Sequence, residues 1–317
     1  MDGLILIDKP RYCTSHDVVA EIRRILNFKK VGHFGTLDPL ATGLLLVAAG
    51  KVTKLFSMFS REDKGYRGRI RLGFATDTYD AAGEPITPES ADLPDRTNLL
   101  EAMKRFEREF LQLPPPFSAK KFQGKPLYKF AREKKQVDLR PSRITIRRFH
   151  LERYAPPDID FEVVCTSGTY IRSLAYDLGR ELGCGAHLAG LMRTAIGPYT
   201  LEASFSLEKI RKLAGEGRIQ DFLTPLEALF PQIPKIILKE PAAWALQKGG
   251  LVASEGIHKI LNSDALSSPR PEGREVIFSL FSMEGKFLAL ARRSPEESPR
   301  SGLIPFLILS SVRHPGS

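Results

Sequence analysis

Val31-Gly-His-Phe-Gly-Thr-Leu-Asp-Pro-Leu-Ala-Thr-Gly43 sets one carboxylate, Asp38, inside a glycine-rich loop. Gly32 and Gly35 precede it, Pro39 follows it directly, and Gly43 closes the stretch. Glycines let a backbone approach a ligand closely. The proline holds Asp38 to extended or turn geometry. The apolar run Leu44 to Ala49 starts at once and reads as a strand. An isolated Asp-Pro step is ordinarily only a turn. What singles this one out is its flanks.

Outward from the loop, Gly3 to Ile7 reads as a short buried strand, and Thr14-Ser-His-Asp17 supplies N-cap chemistry. Val18, Ile22, Ile25 and Leu26 then recur at the spacing of an amphipathic helix. Val52 to Met58 is also helical in pattern. Tyr66 to Phe74 alternates, with Tyr66, Ile70, Leu72 and Phe74 on one face and Arg67, Arg69 and Arg71 on the other. That is a strand with one basic face. Thr97 to Phe110 has helical periodicity, and the prolines of Leu113-Pro-Pro-Pro-Phe117 must end it. Ile144 and Ile146, then Ile159, Phe161, Val163 and Cys165, predict two more strands. Tyr170 to Leu182 reads as a helix opening after Gly168-Thr169. This order predicts an α+β fold around a large mixed or antiparallel sheet, with residues 1–231 as one domain.

Beyond Pro231 the character changes. Trp244 to Val252 is a short helical piece with a glycine turn. Three strand-like runs follow, Glu275 to Phe281, Lys286 to Ala291 and Leu303 to Leu309, with polar loops between them (Asn262 to Arg274, Arg292 to Gly302). Residues 232–317 are therefore expected to form a small all-β module. No internal repeat is present.

The 317 residues carry a net charge of +10 and are 42% hydrophobic. A real core is possible, and the charge points to a polyanion, either nucleic acid or an anionic membrane. Apolar runs of a few residues fall far short of the roughly 20 needed to span a bilayer, which disfavours the membrane. The N-terminus has acids where a secretion signal needs bases. Three cysteines without CxxC spacing predict no disulfide framework, hence a reduced, cytoplasmic protein. Six scattered histidines offer no metal-ligand spacing, and no phosphate-binding glycine motif stands out. Neither a metal nor a cofactor is expected.

The charge is concentrated. Ser118 to Arg148 holds eleven bases, among them Lys120 and Lys121, against two acids, Glu133 and Asp138. Phe122, Tyr128 and Phe130 lie among them. Cations for phosphates and rings for exposed bases are the composition of an RNA-binding insertion, about residues 118–148.

The Asp38 stretch resembles the TruB family of tRNA pseudouridine synthases, whose signature runs G-H-x-G-T/S-L-D-P-x-A-T-G with the nucleophilic Asp in the D-P step. Further matches follow in chain order. Tyr66, in Asp63-Lys-Gly-Tyr66, resembles the family's active-site tyrosine. Arg172, in Ser167-Gly-Thr-Tyr-Ile-Arg172, resembles its active-site arginine, and Tyr170 lies in the same motif. His33 matches a histidine that fills the space left by the flipped base. Lys9-Pro10 matches a K-P pair that supports the site, and Leu191 a leucine that lines the base pocket. Pro115 to Lys121 is similar to the segment that opens the family's RNA-clamping insertion, and residues 232–317 to its PUA-type RNA-binding domain.

The resemblance implies isomerisation of uridine to pseudouridine in the T-loop of tRNA. Asp38, Tyr66 and Arg172 would be catalytic, with His33, Leu191, Lys9, Pro10, Lys120, Lys121 and Tyr170 binding substrate. The partner would be the tRNA T-arm, with no membrane and no protein partner required, and the enzyme a monomer. A carboxylate suits the task because it is ionised at neutral pH, and a buried one needs a cation to stay so. Attack on the sugar and attack on the base both fit. A guide-RNA-dependent relative shares the core motif but lacks such an insertion. An RNA-folding chaperone with secondary catalysis is the reading from another class. Two departures stand out. Tyr12 sits where the family often has glycine, which predicts a turn built differently, and Met192 replaces the first arginine of the common L-R-R-T.

Overall fold

The structure, a computed structural model, describes residues 1–117, 121–122, 125–126, 140–262, 276–293 and 302–308. These sort into two units. The larger takes Ile5–Ala48 and Leu55–Phe222; the smaller takes Met1–Leu4, Ala49–Lys54 and the described chain from Leu223 onward.

The strands of the main sheet are β1 (Gly3–Lys9), β2 (Val31–Phe34), β3 (Thr42–Ala49), β4 (Lys64–Leu72), β5 (Glu109–Gln112), β6 (Ser142–Ala155), β7 (Asp158–Cys165), β8 (Ala186–Ile196) and β9 (Phe205–Ser206). They lie in the order β9-β1-β3-β8-β4-β7-β6-β5, with β2 paired to β3. The β1–β9 and β3–β8 pairs are parallel, while β8–β4, β4–β7, β7–β6 and β6–β5 are antiparallel. The expected mixed sheet is present. Its central strand β3 is buried at every position after the first, as a strand covered on both faces must be. In β7 burial alternates, with Ile159, Phe161, Val163 and Cys165 inward.

Helices α1 (Ser15–Leu26), α2 (Phe56–Ser60), α3 (Arg96–Arg105), α4 (Ile171–Glu181) and α5 (Leu207–Gly215) belong to this unit. The N-cap reading of Thr14 holds as a reciprocal capping box. Thr14 Oγ1 accepts from the Asp17 N–H at 3.0 Å, and Asp17 Oδ2 accepts from the Thr14 N–H at 2.9 Å. Leu99 and Met103 of α3 and Leu174 and Leu178 of α4 share one core with Ile70, Ile146, Phe161 and Val163 of the sheet. Each such side chain stabilises the fold by roughly 1.5–3 kcal/mol when fully buried.

Two expectations are corrected here. The helix predicted to run to Phe110 stops at Arg105, and Glu109–Gln112 is β5, with Phe110 opposite Ile144. Phe106 and Phe110 are spaced as on a helix, but the open edge of β6 claims the backbone, and their rings meet edge to face at 5.9 Å. The basic insertion is shorter than its charge pattern, because everything from Ser142 is the first half of β6. Arg143, Arg147 and Arg148 there pair with Glu109, Asp63 and Glu162. The basic face of β4 is likewise matched: Arg67 meets Glu152 at 3.1 Å, Arg69 meets Asp160 at 2.6 Å and Arg71 meets Asp158 at 3.7 Å. The bases from Lys120 to Lys135, including the side chains of Lys121 and Lys125, lie outside the described residues.

The smaller unit is a second sheet with one helix. Its elements are β10 (Lys235–Leu238), α6 (Glu240–Gln247), β11 (Val252–Ala253), β12 (Ile257–Leu261), β13 (Ile277–Phe281), β14 (Phe287–Arg293) and β15 (Gly302–Ile308), with strand order β11-β15-β14-β13-β10-β12. The three predicted strands are β13 to β15. β12 escapes a sequence reading because it is mostly exposed and shows no alternation. The loop predicted from Asn262 to Arg274 falls outside the described residues except at Asn262. Early residues complete this unit, with Gly3 opposite Pro225 and the Lys51 ammonium donating to the Ile308 carbonyl at 3.0 Å. Among the described residues, no helix is long and apolar enough to cross a membrane.

Candidate active site

The loop between β2 and β3 is held in place from the start of α1. Ser15 Oγ accepts from the Leu37 N–H at 2.9 Å and donates to the Leu37 carbonyl at 3.2 Å, both groups being buried. The Tyr12 N–H donates to the Pro39 carbonyl at 2.8 Å. Beneath this turn the Lys9 ammonium, with no accessible surface, donates to the carbonyls of Cys13 at 2.6 Å and Pro10 at 2.9 Å. Gly43, at φ +96°, cannot be replaced, since a Cβ there would collide with the Arg193 backbone. Asp38 is thereby fixed between two braced neighbours.

Tyr12 has φ +60°. The turn is therefore not built differently from a glycine turn. It has the left-handed backbone that glycine takes freely, imposed on a tyrosine.

Arg172 reaches Asp38 from the opposite side. Its Nε lies 2.9 Å from Asp38 Oδ2 and 3.6 Å from Asp80 Oδ2, but the N–H is directed at neither well enough for a hydrogen bond. The attraction is Coulombic and shared between two carboxylates. The remaining guanidinium nitrogens donate to the carbonyls of Thr78 at 3.1 Å and Phe117 at 2.9 Å. The arginine is the buried member, with 7% of its side chain exposed against 44% for Asp38. The carboxylate therefore faces out of the protein, with the cation behind it. α4 starts where it does because Gln112 clamps Tyr170, accepting from its N–H at 2.8 Å and donating to its carbonyl at 3.1 Å.

The far wall is sheet. Lys64 and Tyr66 on β4, and Leu191 and Arg193 on β8, alternate onto one face, with Arg193 opposite Tyr66. A register shift between Arg193 and Ala195 lies beside this pair, the kind of irregularity that re-aims side chains near sites. Arg193 is fully buried and donates to the carbonyls of Leu44 at 2.8 Å, Gly35 at 3.0 Å and Thr36 at 3.4 Å. Burial pushes the Tyr66 phenol up to about 12, with Arg193 beside it pulling the other way. Tyr66 is thus a neutral phenol at physiological pH, suited to stacking and hydrogen bonding. Burial, then Arg193, lowers the Lys64 ammonium to about 8, and it donates to the carbonyls of Glu62 at 2.9 Å and Ser60 at 3.3 Å.

Asp38, Tyr66, Tyr170, Arg172 and Leu191 converge on one cavity of about 250 Å³, which Lys64 and Arg193 also line. His33 is not one of its walls. It sits on β2, its Nδ1 without a hydrogen-bond partner among the described residues, and burial lowers its pKa. Lys9 and Pro10 brace the loop and do not line the cavity. Lys120 and Lys121 cannot be placed, their side chains lying outside the described residues. The residues that sequence reasoning missed are Lys64, Asp80, Gln112 and Arg193. Two of them adjoin recognised motifs, Lys64 two positions before Tyr66 and Arg193 two after Leu191. A same-face reading of those strands finds both.

The chain matches the model of the TruB family pseudouridylate synthase N-terminal domain over residues 23–171. It matches that of the tRNA pseudouridylate synthase B C-terminal domain over residues 172–231. Asp38 and Tyr66 fall in the first match, Arg172 and Leu191 in the second. A protein of Solibacter usitatus (strain Ellin6076) named tRNA pseudouridine synthase B is 43% identical over 250 residues, 78% of this chain and 85% of that one. Its namesake in Dehalococcoides mccartyi (strain ATCC BAA-2100 / JCM 16839 / KCTC 5957 / BAV1) is 37% identical over 290 residues, 92% of each chain. Among solved structures, the crystal structure of a Cbf5-Nop10-Gar1 complex has a similar chain, with TM-score 0.71 and 26% identity over 96% of this chain and 84% of that one.

Proposed function

The chain belongs to the TruB family of pseudouridylate synthases, and from that premise we propose that it converts uridine to pseudouridine in the T-loop of tRNA. Asp38 is the nucleophile, and the target base is turned out of the RNA into the cavity. The reaction breaks the N1–C1′ glycosidic bond and forms a C5–C1′ bond. C5 loses a proton and N1 gains one, so the balance calls for no oxidant or reductant. Extracting the base costs a few kcal/mol of stacking, which RNA contacts elsewhere must offset.

The observation that carries this reading is the ion pair of Arg172 with the outward-facing Asp38, 2.9 Å apart at a cavity walled by Tyr66 and Leu191. Arg172 holds the carboxylate aimed at the cavity, Tyr66 presents its ring to the uracil, and Leu191 supplies an apolar wall. Lys9 and Pro10 brace the loop, and His33 takes the position left by the flipped base. Tyr170, Lys120 and Lys121 contact the RNA. The seven bases from Lys120 to Lys135 favour a stand-alone enzyme, because they supply its own means of holding a polyanion. Residues 1–231 are the catalytic domain and residues 232–317 a PUA-like RNA-binding domain of a cytoplasmic monomer that needs no protein partner.

The test is tritium release to water from a T-arm stem-loop RNA labelled at C5 of uridine, using the purified full chain and no added RNA. Wild type is expected to release the label. Asp38→Asn is expected to bind the stem-loop as wild type does and to react at least about 10³-fold more slowly. Release by the variant at the wild-type rate overturns Asp38 as nucleophile. A silent wild type overturns the stand-alone reading.

A further inference from the structure

Tyr12 is the most exposed large side chain of apolar character among the described residues, at 76%. Its φ of +60° is a conformation that a bulky residue adopts only under constraint. Nothing in the interior rewards the ring for this. Its backbone N–H is bound to the Pro39 carbonyl at 2.8 Å, which places it one link from Asp38. Arg11 lies over the ring with its Cζ 5.0 Å from the centroid, a cation–π geometry that leaves the ring largely open to solvent. A glycine would satisfy this turn better than tyrosine does. The ring therefore calls for a reason outside the turn.

A groove of about 380 Å³ opens at the neighbouring Arg11. Arg11 lines that groove with Leu40 from the catalytic loop, Thr42 at the start of β3, and Leu191 and Met192 from β8. Leu191 is also a wall of the catalytic cavity, so the groove and the cavity adjoin. The acids along the groove, Glu152 and Asp160, are matched by Arg67 at 3.1 Å and Arg69 at 2.6 Å, so they do not repel an anion with their full charge. Gly68 and Gly190 bring bare backbone to its floor.

We infer that the Arg11–Tyr12 step is a stacking platform for a nucleobase next to the target uridine, and that the adjoining groove leads the RNA strand into the catalytic cavity. The inference rests on the reading of the cavity as an RNA-modifying site. An exposed ring beside a cation and an open groove is the arrangement that holds single-stranded RNA. Arg11 orders the ring in advance, which lowers the cost of ordering it on binding.

The experiment compares wild type, Tyr12→Gly and Tyr12→Phe on three T-arm stem-loops: one intact, and two with an abasic site on the 5′ or the 3′ side of the target uridine. Fluorescence anisotropy gives Kd, tritium release gives KM and kcat, and thermal unfolding reports the fold. Tyr12→Gly relieves the backbone and is expected to unfold at the same or a higher temperature. It binds the intact RNA about tenfold more weakly, with the loss falling on KM rather than kcat, while Tyr12→Phe restores wild-type affinity. On one of the two abasic RNAs, wild type and Tyr12→Gly bind equally. The platform is overturned if Tyr12→Gly keeps wild-type affinity for intact RNA, or if it loses the same factor on all three RNAs. A wild type that releases no tritium while this coupling is present overturns the proposed reaction and leaves the platform standing.

Discussion

At the residue scale the site is organised around a shared cation. Arg172 stands 2.9 Å from Asp38 and 3.6 Å from Asp80, the first half-exposed and the second mostly buried. Asp80 is itself held, its Oδ1 accepting from Thr78 Oγ1 at 2.7 Å and from the Ala82 N–H at 3.0 Å. Asp80 thus anchors the guanidinium from behind, and Asp38 meets it from the ligand side. Asp80→Asn keeps the shape and removes the charge. It is expected to lower kcat about tenfold or more, an increase of roughly 1.4 kcal/mol in the barrier, with KM within about twofold of wild type because Asp80 does not line the cavity. Tritium-release kinetics at varied RNA concentration check the split. A rise in KM alone would make Asp80 a binding residue instead.

At the scale of the element, α4 carries Arg172 at its second position and a half-buried acid, Asp177, further along. Burial pushes the Asp177 carboxyl up to about 6 from an ordinary 3.8, with Arg180 partly opposing the shift. Below the ordinary value both folded and unfolded chains hold the proton. Between 3.8 and about 6 the folded chain holds it more tightly, so stability falls as pH rises through that window. Above it the cost stands in full. Asp177→Asn is therefore expected to raise the unfolding temperature at pH 7.5, and the gain should fade as the pH is brought toward 4. A gain that does not depend on pH would assign the effect to packing instead. The same helix is positioned from outside itself. Gln112 on β5 fixes its first turn, and Ser173 donates to the Leu113 carbonyl at 2.8 Å. The strand that carries Gln112 begins at Glu109, inside the stretch whose spacing predicts a helix to Phe110.

For the whole molecule, charge is the dominant long-range feature. The net +10 is almost matched by the excess of nine bases between Ser118 and Arg148. In the described part of that run, Arg143, Arg147 and Arg148 are engaged with acids across the sheet. The lysines before them are then the candidates for phosphate contact. Stem-loop affinity is expected to fall linearly in log–log form with salt, and replacing Lys120 and Lys121 together by Gln should reduce the slope by about 1.4, at roughly 0.7 per contact on single-stranded RNA. Filter binding between about 50 and 200 mM salt measures it. An unchanged slope would remove these two lysines from the RNA-binding surface. The smaller unit offers its own ring and cation pair, with Lys248 Nζ 3.5 Å from the centroid of the half-exposed Trp244.

Much of this protein was legible without its structure, because the signals are local. The Thr14–Asp17 capping box, the inward alternation of β7 and the buried run of β3 each depend on residues a few positions apart. The motifs holding Asp38, Tyr66, Arg172 and Leu191 could be recognised one by one, and all four residues reach one cavity. What the chain order hides depends on partners brought from far away. Arg193 looks like a surface base until Leu44, 149 positions earlier, accepts its hydrogen bond inside the core. The arginines of β4 read as a basic face until β6 and β7 bring up their carboxylates. Tyr12 takes a glycine's backbone because the Pro39 carbonyl across the loop holds its N–H. Periodicity and caps are properties of a segment. Burial, charge pairing and imposed backbone conformation belong to the packed chain, and only the tertiary structure decides them.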